Sequence, residues 1–442
     1  MSCNWRKMTL KEAGVILIDC DHKTPKAQET GRPYVGIPQL KDCRITLDGA
    51  RLISEEDFSH WRRKAKPQEH DVILSRRCNP GETGYVTGDL DIALGQNLVL
   101  LRSDGEDIYP PFLRWLTRGK YWWNQVNAFI NVGAVFESLK CVDIPKFEIL
   151  VPSIEEQKLL TNCMSAIDDK IALNSKTNQT LEEMAQAIFK SWFVDFDPVK
   201  AKMNGEEPEG MDAATVSLFP EKLVGSELGL IPEGWSVESA KSQLDVLRGF
   251  SYKGKGLVTS LDEGVPMHNL NSVLEGGGYK YKGLKFYSDE FKDKFLVQEG
   301  DVLVANTEQG HNHLLIGYGA MIPKHLAFGF CSHHTYRVRP KSESNVTPEF
   351  IERLFGKGRF VRLVQGFTNG TTVNMLPVAG MEMPEFVVPP RTLAERYSEL
   401  VKPMKAMIEE NQKSNIELAK LRDTLLPKLL SGEIELDKVL DV

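Results

Sequence analysis

Between residues 160 and 192, apolar and amide side chains recur at alternating intervals of four and three: Leu160, Met164, Ile167, Ile171, Asn174, Asn178, Leu181, Ala185, Ile188 and Trp192. Near the far end of the chain Leu400, Met404, Met407, Asn411, Ser414, Leu418, Leu421 and Leu425 repeat the rhythm. A 3.5-residue period keeps one stripe turned toward a neighbouring helix, so each run predicts a long helix with a helical partner. Two such helices of about 35–40 residues would each run roughly 50–60 Å. They match one another in length and period, and are expected to pair. Asn174 and Asn178 in one stripe, with Asn411 and Ser414 in the other, place polar groups mid-seam where they can fix register. Ser153-x-x-Glu156 and Thr392-x-x-Glu395 have the spacing of capping boxes and mark the two helix starts. Pro198 is expected to end the first helix, and Pro427 with Gly432 to kink or break the second.

Outside the helices the pattern changes. Short apolar runs (Val72-Ile73-Leu74, Leu98-Val99-Leu100-Leu101, Val302-Leu303-Val304) alternate with Gly, Pro and Asn turns. They predict strands of mixed α/β globules, with helices near 111–126 and 348–364.

These globules repeat. Pro145 and Pro384 are 239 apart (384 − 145), as are Phe147 and Phe386, and Glu156 and Glu395. Trp5 matches Trp235, and Glu69-His70-Asp71 matches Glu299-Gly300-Asp301, at an offset of 230 (301 − 71). Arg114 with Arg118-Gly119-Lys120 matches Arg353 with Lys357-Gly358-Arg359, and Gly133-Ala134-Val135 matches Gly370-Thr371-Thr372. Several unlinked matches in one order indicate internal duplication. The expected fold is α+β: two α/β globules related by that duplication, separated by two long antiparallel coiled-coil helices. Antiparallel pairing follows if a pseudo-two-fold axis relates the copies. The expected boundaries are 1–152 for the first globule, 153–197 for the first helix, 198–229 for a connector, 230–391 for the second globule, 392–432 for the second helix and 433–442 for a tail. The connector is rich in Pro, Gly and acidic residues and is expected to be extended.

A chain of 442 residues accommodates about three units. Its 41% hydrophobic and 26% charged residues are those of a soluble globular protein. No leader-like segment or run of about 18 uncharged apolar residues is present. Seven scattered cysteines without a CxxC pair predict reduced thiols and a cytoplasmic location. A net charge of −7 argues against indiscriminate nucleic-acid affinity, but allows basic residues concentrated on one face.

Catalytic signatures are missing. There is no G-x-x-x-x-G-K-[ST] loop. Tyr109-Pro110-Pro111-Phe112 lacks the acid or amide that an adenine methyltransferase tetrad requires, and Lys253-Gly254-Lys255-Gly256 fits a turn. No Ser/His/Asp order specifies a hydrolase. His311-x-His313 and His333-His334 have no Cys or carboxylate at ligand spacing, so they fit turn or DNA-facing histidines better than a metal site. Neither a cofactor nor a metal is expected.

Five segments carry a resemblance: LEEMAQAIFKSWFVDFDPVKAK (Leu181–Lys202), the twin Pro-bounded strand-to-helix junctions, IPEGW (Ile231–Trp235) and LPKLLSGEI (Leu426–Ile434). Together they resemble the specificity (S) subunit of Type I restriction–modification systems, over essentially the whole chain. The resemblance implies two target recognition domains, 1–152 and 230–391, each reading half of a bipartite site in double-stranded DNA. The helices would set the unread spacer. It also implies that the chain itself is not catalytic. Its partners would be two modification subunits, which bind S-adenosylmethionine and methylate adenine at N6, and restriction (translocase/nuclease) subunits that complete a phage-defence complex. Leu181, Ile188, Trp192, Phe193, Leu421 and Leu425 are the expected partner-binding residues.

DNA contacts are expected from Arg62, Arg63, Arg76, Arg77 and Asn79 in the first globule. In the second they are expected from Lys253, Lys255, Asn306, Gln309, His311, Asn312 and His313. Arg76-Arg77 aligns with Asn306-Thr307, and a loop that differs between matched copies is where two half-sites can be told apart. Arg suits guanine, and Asn or Gln suits adenine, in the major groove. Arg114, Arg118, Lys120, Arg353, Lys357 and Arg359 suit phosphates or cover a helix face. The same elements also fit a non-DNA coiled-coil scaffold with two protein-binding globules.

Overall fold

The computed structural model describes residues 5–132, 137–310, 312–370 and 372–434. His311 and the repeat match at Gly133-Ala134-Val135 lie outside the described residues. The chain divides into two compact units, Met1–Asn174 with Ser414–Val442, and Ser175–Lys413. Each unit contains one globule and a stretch of both long helices, Ile154–Lys190 and Arg391–Leu430.

The first helix starts as its sequence dictates. Ser153 N–H donates to Glu156 Oε2 at 2.8 Å, and Glu156 N–H donates to Ser153 Oγ at 3.3 Å, which closes the capping box. The second does not. It begins at Arg391, the Pro390 carbonyl accepts from Leu393 and Ala394 N–H, and Thr392 is already inside the first turn. Arg391 Nε claims Glu395 Oε1 at 2.8 Å, so the carboxylate that would have completed the box is taken.

Side-chain register shows that the helices run antiparallel within each unit. In the first, Asn174 Nδ2 donates to Asn415 Oδ1 at 2.9 Å, and Arg422 Nη1 to Asp168 Oδ1 at 2.9 Å. In the second, Asn411 Nδ2 donates to Asn178 Oδ1 at 2.8 Å. The first helix turns its predicted stripe inward, with Leu160, Met164, Asn174, Asn178 and Ala185 buried and Ile167, Ile171, Leu181 and Ile188 half-buried. On the second helix the stripe is displaced by one residue in alternate turns. Met407 and Leu421 are 53% and 47% exposed, while Ile408, Asn415 and Arg422 are turned inward. Polar partners on the opposite helix decide this phase, because they satisfy Asn415 and Arg422 where an apolar side chain could not satisfy them.

Three further expectations are corrected. After Lys190 the helix closes with one π turn, Ser191–Asp195, and Phe196 takes a left-handed conformation with φ 58°. Pro198 then sits in the first turn of a new helix, Asp197–Met203, where its missing N–H costs nothing. Pro427 remains inside the second long helix, which ends at Leu430; Gly432 follows with φ 69°. The connector is folded, with a helix at Ala213–Ser217 and a hairpin of Leu223–Ser226 with Gly229–Pro232. Its Val199 and Phe219, with Phe196 just before it, are buried with Trp192, Phe193 and Trp235 in the second unit's core. The Pro, Gly and acidic composition hid these anchors.

The duplication is preserved in the order of the central sheet. The first globule has a four-stranded antiparallel sheet in the order Val15–Asp19, Leu98–Ser103, Val72–Ser75, Thr83–Tyr85. The second has Leu244–Arg248, Thr335–Pro340, Val302–Ala305, Gly319–Met321 in the same order. In each, a strand pair closes the globule's base: Arg6–Thr9 with Glu148–Val151, and Ser236–Ser239 with Glu385–Val388. The strands Val72–Ser75 and Val302–Ala305 are buried throughout, which explains runs of apolar residues without alternation.

Just before each buried strand lies a buried carboxylate. Asp71 accepts Arg102 Nε and Nη2, both at 2.7 Å, and the Gln68 N–H at 2.8 Å. Asp301 accepts Arg339 Nη2 at 2.8 Å and the Gln298 N–H at 2.8 Å. Bidentate pairing and a backbone donor offset the desolvation of the charge. The two copies thus share a buried ion pair as well as a strand order.

Candidate nucleic-acid interface

Where the buried strands end, both globules use one backbone scheme. Arg76 N–H donates to Asn97 O at 2.9 Å, and Arg76 O accepts from Leu139 N–H at 2.9 Å. Asn306 N–H donates to His334 O at 3.1 Å, and Asn306 O accepts from Leu376 N–H at 2.8 Å. The alignment of position 76 with 306 therefore holds in space.

Their side chains do not do what the sequence suggested. Arg76 and Asn306 are 8% and 2% exposed, held inside by the backbone bonds on either side. Asn306 Nδ2 donates to His333 O at 3.1 Å. Neither is presented as a base reader. The residues just beyond them are the exposed ones. Arg77 and Asn79 are exposed, separated by Cys78 with φ 66°, and Gln309 and Asn312 are exposed in the second globule. His313 is half-buried with φ 49°, and its carbonyl accepts Gln365 Nε2 at 3.2 Å.

One organising residue escaped the sequence reading. Glu308 is buried, and its carboxylate accepts three backbone N–H groups: Leu314 at 2.8 Å, Leu315 at 3.0 Å and Ile316 at 2.9 Å. Charge-assisted bonds of this kind are about twice as strong as neutral ones, so Glu308 fixes the loop that carries Gln309 and Asn312. The available clue was an acid three residues after the apolar strand Val302–Ala305 and six residues before the apolar run Leu314-Leu315-Ile316.

The other basic candidates divide. Arg62 pairs with Asp91 at 2.7 Å and lies 4.5 Å over the Phe58 ring, so its charge is spent within the globule. Arg63 is exposed beside His60. Lys253 and Lys255 are exposed on the turn around Gly254–Gly256. Arg114, Arg118, Arg422 and Arg44 converge on Asp168, at 2.6, 3.4, 2.9 and 3.5 Å. Burial pushes the Asp168 carboxyl up, but the Arg422 hydrogen bond and the charges of Arg118, Arg44 and Arg114 outweigh it and hold it below the usual range. Arg353 Nη2 bonds Glu182 Oε2 at 2.8 Å. Arg114, Arg118 and Arg353 thus cover helix faces, while Lys120, Lys357 and Arg359 are exposed.

Of the expected partner-binding residues, Trp192 and Phe193 are corrected: at 3% and 6% exposed, they belong to the second unit's aromatic core with Phe189 and Tyr397. Leu181, Ile188 and Leu425 are half-buried and Leu421 is exposed. Ligand-type atoms of Asp19, Cys20 and His22 lie within 4.8 Å of one another. Each has a partner in the chain, however: His22 Nε2 with Asp19 at 3.0 Å, and Cys20 Sγ with Gly95 O at 3.1 Å. Among the described residues no helix is long and apolar enough to cross a membrane.

The described residues thus build a matched four-stranded sheet twice, each followed by a differently decorated polar loop. Residues 4–183 match the family described as Type I restriction modification DNA specificity domain. The MjaIX specificity subunit of a Type I restriction enzyme from Methanocaldococcus jannaschii is 26% identical over 404 residues, covering 88% of this chain and 83% of that protein. The HindI specificity subunit from Haemophilus influenzae is 23% identical over 418 residues, covering 82% of this chain and 86% of that one. Among solved structures, the Type I system S subunit from M. genitalium shares the fold, with a TM-score of 0.56, 12% identity and coverage of 97% and 96%. The chain is thus similar over most of its length to specificity subunits of Type I restriction enzymes, and its residues 4–183 match the DNA specificity domain of that family.

Proposed function

We propose that each globule reads one half of a bipartite DNA site and that the paired helices set the unread spacer between the halves. The observation that carries this is the matched strand end. The same buried carboxylate, strand order and backbone bonds support Arg77 and Asn79 in one copy and Gln309 and Asn312 in the other. A shared scaffold with different exposed polar groups suits two different half-sites, because base edges are read by side-chain donors and acceptors. Each long helix is a single uninterrupted element, Ile154–Lys190 and Arg391–Leu430, of the kind a ruler requires.

In this reading the chain works in the cytoplasm with two modification subunits, which bind S-adenosylmethionine and methylate adenine, and with restriction subunits. Those partners supply much of the phosphate contact, which reconciles DNA recognition with a net charge of −7. The test is selection of random duplexes by the assembled methylating complex. Two short sequences at fixed separation are expected. Selection of one continuous sequence, or of none, would overturn the proposal and favour the protein-binding scaffold.

A further inference from the structure

The residues held next to the buried positions 76 and 306 point to a recognition element beyond the strand-end loops. Gln96-Asn97 immediately precedes the strand Leu98–Ser103, and His333-His334 immediately precedes Thr335–Pro340. These are the second strands in the two matched sheets. In both turns the second residue's carbonyl accepts the N–H of the buried position, Arg76 or Asn306. The first residue's carbonyl is also fixed by side chains. Gln96 O is bonded by His22 Nδ1 at 3.1 Å, and His333 O accepts Asn306 Nδ2 at 3.1 Å and Arg248 Nε at 3.2 Å. Each turn is therefore locked by its backbone, which leaves its side chains to project. Gln96 and His334 are exposed, and Asn97 and His333 half-buried.

Polar capacity is left over at the same place. Among the described residues, Arg76 Nε and Asn306 Oδ1, on residues more than nine-tenths buried, have no hydrogen-bond partner, nor has His333 Nδ1. The two His rings lie 3.9 Å apart, and His334 Nδ1 is 3.1 Å from Thr307 Oγ1. Arg77 in the first globule and Arg248 in the second are exposed alongside and suit phosphate contact.

We infer that Gln96-Asn97 and His333-His334 are matched specificity-determining turns, with Asn306 a positioning residue for the histidine pair. This rests on the proposed reading of half-sites by separate globules. The side-chain amides of Gln96 and Asn97 suit bidentate bonding to the N6 and N7 of an adenine in the first half-site. The histidine ring nitrogens suit hydrogen bonding to purine edges in the second.

The experiment uses the full methylating complex and a library randomised over both half-sites, read by sequencing the methylated molecules. Gln96→Ala/Asn97→Ala is expected to lower discrimination at one or two positions of the first half by about tenfold or more, and to leave the second half unchanged. His333→Ala/His334→Ala and Asn306→Ala are each expected to relax the second half alone. Gln96→Arg, which keeps a long polar side chain on the exposed turn, is expected to shift the preferred base toward guanine. Unchanged base preference in both turn variants would overturn the inference. So would a uniform loss of affinity with preference intact, which would mean phosphate contact only. If the unaltered complex showed no bipartite preference, the underlying reading would fail instead, so the two failures are separable.

Discussion

Asp168 on the first long helix accepts Arg422 Nη1 from the second at 2.9 Å, and the same carboxylate accepts Arg114 Nη2 from the globule at 2.6 Å. One side chain, 1% exposed, thereby joins three elements of the first unit. Asp168→Ala would leave Arg114, Arg118 and Arg422 facing one another without their counter-charge. Removing one partner of a buried ion pair costs about 3 kcal/mol or more. Denaturant unfolding of the subunit in its complex should show a loss of that size; a loss below about 1 kcal/mol would deny the cluster its joining role.

The same carboxylate gives a pH dependence. Its folded pKa is depressed, so its stabilisation is present above the unfolded carboxylate value of about 4 and is lost as pH falls through the folded value. Between pH 5 and pH 3 the natural protein should lose stability more steeply than Asp168→Asn. Parallel curves would show that the carboxylate's charge is not what matters.

Asn411 Nδ2 and Asn178 Oδ1 meet at 2.8 Å in the second unit's helix pair, and Asn178 Nδ2 reaches Ile408 O at 3.4 Å. Replacing Asn411 alone by Leu strands a buried amide, at a cost of about 1–3 kcal/mol. Replacing both by Leu removes the unmet polar groups, so the double variant should be more stable than Asn411→Leu. A double-mutant cycle on thermal unfolding measures this, and additive losses would contradict it.

Glu308→Ala removes the acceptor of three backbone N–H groups. The amides of Leu314, Leu315 and Ile316 should then exchange with solvent at least tenfold faster. Second-half-site discrimination should fall while the first half is unaffected. Unchanged exchange would show that the loop holds its shape without Glu308.

The helix pair as a ruler predicts the effect of length. One heptad added to both helices, between Asn174 and Asn178 and between Asn411 and Asn415, preserves the stripes and adds roughly 10 Å. At about 3.4 Å per base pair the preferred spacer should grow by about three base pairs. Binding-site selection showing the original spacer would count against the ruler.

Duplication and helix period were legible because they lie in local pattern. Asp71 and Asp301 kept their spacing to the buried strands, and the first helix turns Leu160 through Ile188 inward on one stripe. What was misread depended on residues distant in sequence. Leu421 has the period of the seam, but it is exposed, and Arg422 turns inward to Asp168, 254 residues earlier. Thr392 had cap spacing, but Arg391 took its Glu395. Asn306 looked like a base reader because its type suits adenine; its burial comes from backbone bonds to His334 and Leu376, which no local window contains.

The most direct measurement of the central claim is an N6-methyladenine map of DNA modified by the complex, before and after residues 230–391 are exchanged for the corresponding globule of a related specificity subunit. One half of the methylated motif should change while the other half and the spacer stay fixed. Change in both halves, or in neither, would contradict the claim that each globule reads its own half.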